Sequence, residues 1–132
     1  HGGVVIGSEM SGGVKNVVIS NCVFDGTDAG IRMKSARGRG GVVENIMISN
    51  IVMRNISRNA FTFDLFYDRD SKVEAVTKRT PIFRNIHINN VTGRNINKAG
   101  VINGIEESRE QIERGEFLSH EEVMKKYLAK YK

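Results

Sequence analysis

One eight-residue pattern occurs three times in this chain, and it constrains the fold more than any other feature. Val14-Lys15-Asn16-Val17-Val18-Ile19-Ser20-Asn21 returns as Val43-Glu44-Asn45-Ile46-Met47-Ile48-Ser49-Asn50, then as Phe83-Arg84-Asn85-Ile86-His87-Ile88-Asn89-Asn90. The offsets are 29 and 40 residues. Each copy reads apolar, charged, Asn, apolar, variable, apolar, polar, Asn, an alternation with the period of a strand rather than a helix. A second strand signal follows each copy: Ala29-Gly30-Ile31-Arg32-Met33, Ala60-Phe61-Thr62-Phe63 and Ala99-Gly100-Val101-Ile102. Two short strands and a variable loop per repeat describe the coils of a β-solenoid, where each coil needs a neighbour to bury its apolar face. Asn21, Asn50 and Asn90 are then expected to stack at equivalent corners, because asparagine tolerates turn geometry. Pro81 stands just before the third copy, at a strand entrance where a missing N–H is tolerable. An antiparallel sandwich would need this threefold match to be coincidence.

The remaining bulk properties narrow the function. The 132 residues suggest one domain, and no apolar run approaches the roughly 18 residues that span a bilayer. No membrane association is expected, and no basic-then-apolar leader is visible. The net charge of +5 and pI of about 9.6 point to nucleic acid, an anionic surface or an acidic polymer. The strongest local group, Arg32, Lys34, Arg37 and Arg39, is interleaved with glycine rather than run together as an arm, so nucleic acid is not the expected partner. Cys22 is the single cysteine, expected as a small buried apolar group. His1, His87 and His120 lie far apart in sequence, so neither a metal nor a cofactor is expected. Gly38-Arg39-Gly40-Gly41 lacks the Lys-Ser/Thr of a phosphate loop and reads as a turn between coils.

The segment His1-Gly2-Gly3-Val4-Val5-Ile6-Gly7-Ser8-Glu9-Met10-Ser11-Gly12-Gly13 resembles a signature of glycoside hydrolase family 28, the polygalacturonase-like pectin hydrolases. A second signature, Arg-Ile-Lys in the family, is matched by Arg32-Met33-Lys34. The resemblance covers about residues 1–108. It implies an all-β, right-handed parallel β-helix that hydrolyses α-1,4 linkages between galacturonic acid units with inversion. Its partner would be an acidic polysaccharide, oligogalacturonate, and its location secreted or periplasmic.

Inverting hydrolysis needs one carboxylic acid to protonate the leaving oxygen and one carboxylate to activate water. The resemblance puts those aspartates on motifs that precede the His-Gly signature. Neither motif is found here, so the chain alone is expected to bind without appreciable hydrolysis. Asp25, Asp28 and Asp64 match no catalytic position and read as turn and loop carboxylates. His1 matches the family histidine beside the catalytic aspartates, where an imidazole tunes a carboxylate or holds the sugar; a frayed terminal histidine is the competing reading. Arg32 and Lys34 match the pair that grips the galacturonate carboxylate. Strand spacing i, i+2 sets both on one face, where Arg forks onto a carboxylate and Lys adds a point charge; two solvated surface charges are the alternative. Tyr67 falls where the family has a groove-lining tyrosine, with a partly buried aromatic as the equal alternative.

After residue 105 the composition changes. Glu106-Glu107-Ser108-Arg109-Glu110-Gln111-Ile112-Glu113-Arg114 favours helix, Gly115 reads as its C-terminal cap, and Ser119-His120-Glu121-Glu122 forms a capping box. Val123, Met124, Tyr127, Leu128 and Tyr131 share one face of the helix that follows. Residues 1–105 are thus expected as coils and 106–132 as a short helical tail. From Ile105 to Lys130 the tail resembles the partner-wrapping C-termini of bacterial toxin–antitoxin antitoxins; the alternative is a cap over the last coil. A protein partner for the tail, and self-association through an open end of the β-helix, are the remaining expectations.

Overall fold

Asparagines turn the strands of this protein. The computed structural model describes residues 1–67 and 75–104. It contains β1 (Gly2–Ile6), β2 (Val14–Asp25), β3 (Ala29–Lys34), β4 (Val42–Asp64) and β5 (Ile82–Asn103). A strand of 23 residues such as β4 is far longer than the five or six usual in domains, and it does not run straight. Asn45, Asn50 and Asn55 adopt φ of 55°, 55° and 53°, single left-handed steps that asparagine takes at low cost. β5 repeats them at Asn85, Asn90 and Asn95, and β2 at Asn16 and Asn21, with Gly26 in the third position. Each step redirects the chain, so one long strand is divided into four segments around a coil.

Among the described residues the five strands pair in parallel, β1 with β3, β2 and β3 with β4, and β4 with β5. The register joins Val17 to Ile46 to Ile86 and Ile19 to Ile48 to Ile88. This is a parallel β-helix, as the repeat implies. The offset of 29 residues between β2 and β4 grows to 40 between β4 and β5 because the segment between β4 and β5 is longer. A register shift between Ile56 and Asn59 marks a bulge at the third corner.

Inward residues stack into one core. Val43, Ile46, Ile48, Ile51, Met53 and Ile56 of β4 are at most 1% exposed, sandwiched between coils. Each such side chain contributes about 1.5–3 kcal/mol by leaving water. The equivalent Ile86, Ile88, Val91 and Ile96 of β5 pack on that core from one side and are partly buried. Cys22, expected to be buried, is only half-buried beside the core, and its Sγ lies 3.4 Å from the Ser20 carbonyl oxygen.

The corner asparagines are bonded along the helix axis. Asn50 Nδ2 donates to Asn21 Oδ1 at 3.0 Å, and Asn90 Nδ2 donates to Asn50 Oδ1 at 2.7 Å. Two further columns exist that the sequence reading did not single out. Asn45 donates to Asn16 at 3.1 Å and accepts from Asn85; Asn55 donates to Asp25 at 2.8 Å and accepts from Asn95 at 2.7 Å. The five-residue spacing of Asn45, Asn50 and Asn55 was the available signal. The expected helical tail and its partner-binding role lie outside the described residues.

Candidate functional site

β3 builds the site by strict alternation. Ile31 and Met33 are wholly buried, while Arg32 and Lys34 between them point outward and are half-buried. Parallel register places Val5, Arg32 and Thr62 in one outward column, continued by Val101 of β5. Lys34, Asp64 and Asn103 form the next.

Tyr67 reaches this face through a set of short local bonds. The Ser35 N–H donates to the Asp64 carbonyl at 2.8 Å, and the Tyr67 N–H donates to the Ser35 carbonyl at 3.2 Å. Asp64 Oδ1 accepts from the Phe66 N–H at 2.8 Å, while Ala36 and Phe66 form an antiparallel bridge. Residues after β3 and after β4 are therefore laced together, which delivers the Tyr67 ring over the end of β3. Lys34 Nζ lies 4.2 Å from the ring centroid and Arg32 Cζ 5.7 Å, both within cation–π range. The ring remains 38% exposed, so it walls an open surface and does not fill the core.

A one-turn 3₁₀ helix, Arg37–Arg39, follows β3. Arg37 is 4% exposed, stacks its guanidinium 4.8 Å from the Phe66 ring centroid and donates from Nη2 to the Gly104 carbonyl at 3.4 Å. Arg39 Cζ stands 5.9 Å from the Tyr67 centroid. Gly40 and Gly41 then bring the chain round to β4 with φ of 70° and 92°, the turn expected between coils.

Beside Arg32 the surface dips into a concavity of about 250 Å³ that also meets Arg58, Thr62, Asp64, Lys98 and Asn103. Its cations and amides stand beside two carboxylates, Asp28 and Asp64, a mixed lining that can both donate to and accept from a polar, oxygen-rich ligand. A larger concavity of about 870 Å³ lies at the third corner, around Asp25, Arg54, Asn55, Arg94 and Asn95; His1, Arg32, Lys34 and Tyr67 do not line it, whereas Asp25 does.

The structure thus brings Arg32, Lys34 and Tyr67 around one surface, while His1 meets Asp28, which also lines the concavity beside Arg32. His1 is exposed at the start of β1, opposite Asp28, where its carbonyl accepts from the Asp28 N–H at 2.8 Å. The α-amino group, hydrogen-bonded to the Asp28 carboxylate, holds that carboxyl below its usual range, helped by Ser57 and Arg58. Of the aspartates read as turn and loop groups, Asp28 is one. Asp25 and Asp64 instead end strands β2 and β4. Asp64 sits beside Lys34 in the outward column, which the match of Phe61-Thr62-Phe63-Asp64 onto Ile31-Arg32-Met33-Lys34 could have signalled. Among the described residues, no three His, Cys, Asp or Glu side chains come together as a metal site. His87 is exposed and bonds Asn85 at 2.9 Å through Nε2.

Stacked parallel coils whose outward face carries two cations against an aromatic ring define a parallel β-solenoid. The sequence model of the family described as Glycosyl hydrolases family 28 matches residues 1–113, and the chain belongs to that family. It is 39% identical to a polygalacturonase of Ralstonia nicotianae over 67% of this chain, and 33% identical to an exo-poly-alpha-D-galacturonosidase of Dickeya chrysanthemi over 70%. It is 37% identical over 51% to an endo-polygalacturonase of Pectobacterium carotovorum. The chain spans 16% of the length of each of these relatives. No solved structure gives a significant match.

Proposed function

We propose that this chain supplies the carboxylate-gripping part of the substrate groove in a hydrolase of pectin, one that cleaves α-1,4-galacturonosyl linkages with inversion. The observation that carries the reading is the convergence of Arg32 and Lys34 on the Tyr67 ring at an open surface. The two cations take a uronate carboxylate, Arg32 by its planar fork and Lys34 as a point charge, while the ring offers an apolar face to the sugar. His1, by its place in the His-Gly motif, contributes at the neighbouring edge of the same groove, next to Asp28.

Asp25, Asp28 and Asp64 correspond to none of the family's catalytic positions, so the general acid and base are assigned to other residues. The chain by itself then binds oligogalacturonate and does not appreciably hydrolyse it. Melting followed by far-ultraviolet circular dichroism tests binding, because a ligand held only by the native state raises Tm. The expected result is an upward shift with oligogalacturonate that disappears in Arg32→Ala and Lys34→Ala. A cooperative melt with no shift sinks the binding reading. Release of reducing ends by pure protein, abolished by an Asp→Asn change at position 25, 28 or 64, sinks the assignment of the acid and base.

A further inference from the structure

Among the described residues, Arg39 carries a charge that no carboxylate pairs. Its backbone N–H closes the 3₁₀ turn onto the Ala36 carbonyl at 3.0 Å, and Arg37, locked to Gly104 and Phe66, fixes the turn against the last coil. The Arg39 guanidinium is thereby set 5.9 Å from the centroid of the ring that Arg32 and Lys34 also face. Its Nη1 is buried and has no hydrogen-bond partner among the described residues. Native structures pair nearly all buried polar atoms, and an unpaired one attached to a charge is costly. Arg39 as a whole is only half-buried, and its guanidinium charge is delocalised over the planar fork, so an anion at the Tyr67 surface can still lower the electrostatic cost of holding that charge there.

We propose that Arg39 is the third cation of the subsite and determines its selectivity for a free uronate carboxylate over the methyl ester. Three cations around one aromatic wall exceed what a neutral ester can use: the ester accepts hydrogen bonds but neutralises nothing. This inference rests on the carboxylate-binding reading above and adds to it a residue and a basis for discrimination. The spacing of Arg32 and Lys34 on β3 did not signal Arg39, because it comes from a different local structure, the turn after the strand.

Calorimetric titration of the chain with trigalacturonate and with its methyl ester, at low salt, tests this for wild type, R39Q and R39K, with a melt of each variant. R39Q is expected to bind the free acid about tenfold more weakly, with little change for the ester, as for loss of one charge-assisted contact. R39K keeps the charge but loses the fork, so the expected loss for the free acid is roughly threefold. An acid-to-ester preference unchanged in both variants overturns the role of Arg39 while leaving the carboxylate reading intact. A lowered Tm with that preference unchanged does the same, since it marks a purely structural arginine. Should R39Q not melt cooperatively, R39K decides, and wild-type affinity in R39K overturns the proposal. Absence of free-acid binding by the wild type instead sinks the carboxylate reading itself.

Discussion

Lys34 Nζ lies 4.2 Å from the centroid of the Tyr67 ring, although the two residues belong to successive coils of the β-helix. Lys34 ends β3 and Asp64, its register partner, ends β4. The chain after β4 then pairs with Ser35 and Ala36 of the preceding coil, which brings the ring to the end of β3. A positive charge and an aromatic face that share one exposed surface are suited to a ligand that is both anionic and ring-shaped.

Tyr67→Ala removes the wall and the cation–π contact. Affinity for oligogalacturonate is expected to fall about tenfold, and Tyr67→Phe, which keeps the ring, to fall less than threefold. Equal losses in the two variants, measured by titration, would assign the effect to the phenol hydroxyl instead.

Arg32 and Lys34 are half-exposed cations, so their grip on a carboxylate should be screened by salt. Raising ionic strength from about 0.05 to about 0.5 M is expected to weaken wild-type binding severalfold. In an Arg32→Ala, Lys34→Ala double variant most of that dependence should be gone. A salt dependence undiminished in the double variant places the anion elsewhere, for instance near Arg54 and Arg94, whereas a small remainder is what Arg39 would leave.

Asn50 is the middle of its column, donating to Asn21 and accepting from Asn90 at a φ of 55°. Asn50→Ala loses both side-chain bonds and puts a Cβ-bearing residue without local compensation in the left-handed region. The expected cost is about 2–3 kcal/mol in denaturant unfolding. Asn50→Gly loses the bonds but not the backbone compatibility and should cost less. If alanine and glycine are equivalent, the corner conformation is not what asparagine supplies.

Gly41 joins the turn after β3 to β4 at a φ of 92°, and a Cβ there would stand 2.2 Å from the Met10 carbonyl oxygen. Gly41→Ala combines backbone strain with a clash against backbone, and is expected to lower stability by more than about 2 kcal/mol. Gly12→Ala, at a position with nothing within 4 Å, is the control and should change Tm little.

Much of the fold was legible in the sequence because a solenoid writes its period into the chain. Three copies of one pattern state which residues face inward, and parallel stacking of identical coils leaves little freedom in register once Ile46 must sit over Val17 and under Ile86. The five-residue asparagine spacing carried two more corner columns that were equally readable. The family motifs likewise marked Arg32 and Lys34, and strand alternation alone put them on one face.

What the tertiary structure decided is how residues from different local structures meet. Whether Tyr67 lined a surface or filled the core turned on the lacing of residues 64–67 to residues 35–36, which no periodicity encodes. The place of Arg39 depended on a 3₁₀ turn anchored to Gly104 at the far end of the described chain. Repeats determine coils because equivalent positions of successive coils meet in the same register, whatever the length of the loop between them. The loops between coils differ in length, so their contacts are long-range and singular, and only the folded chain fixes them.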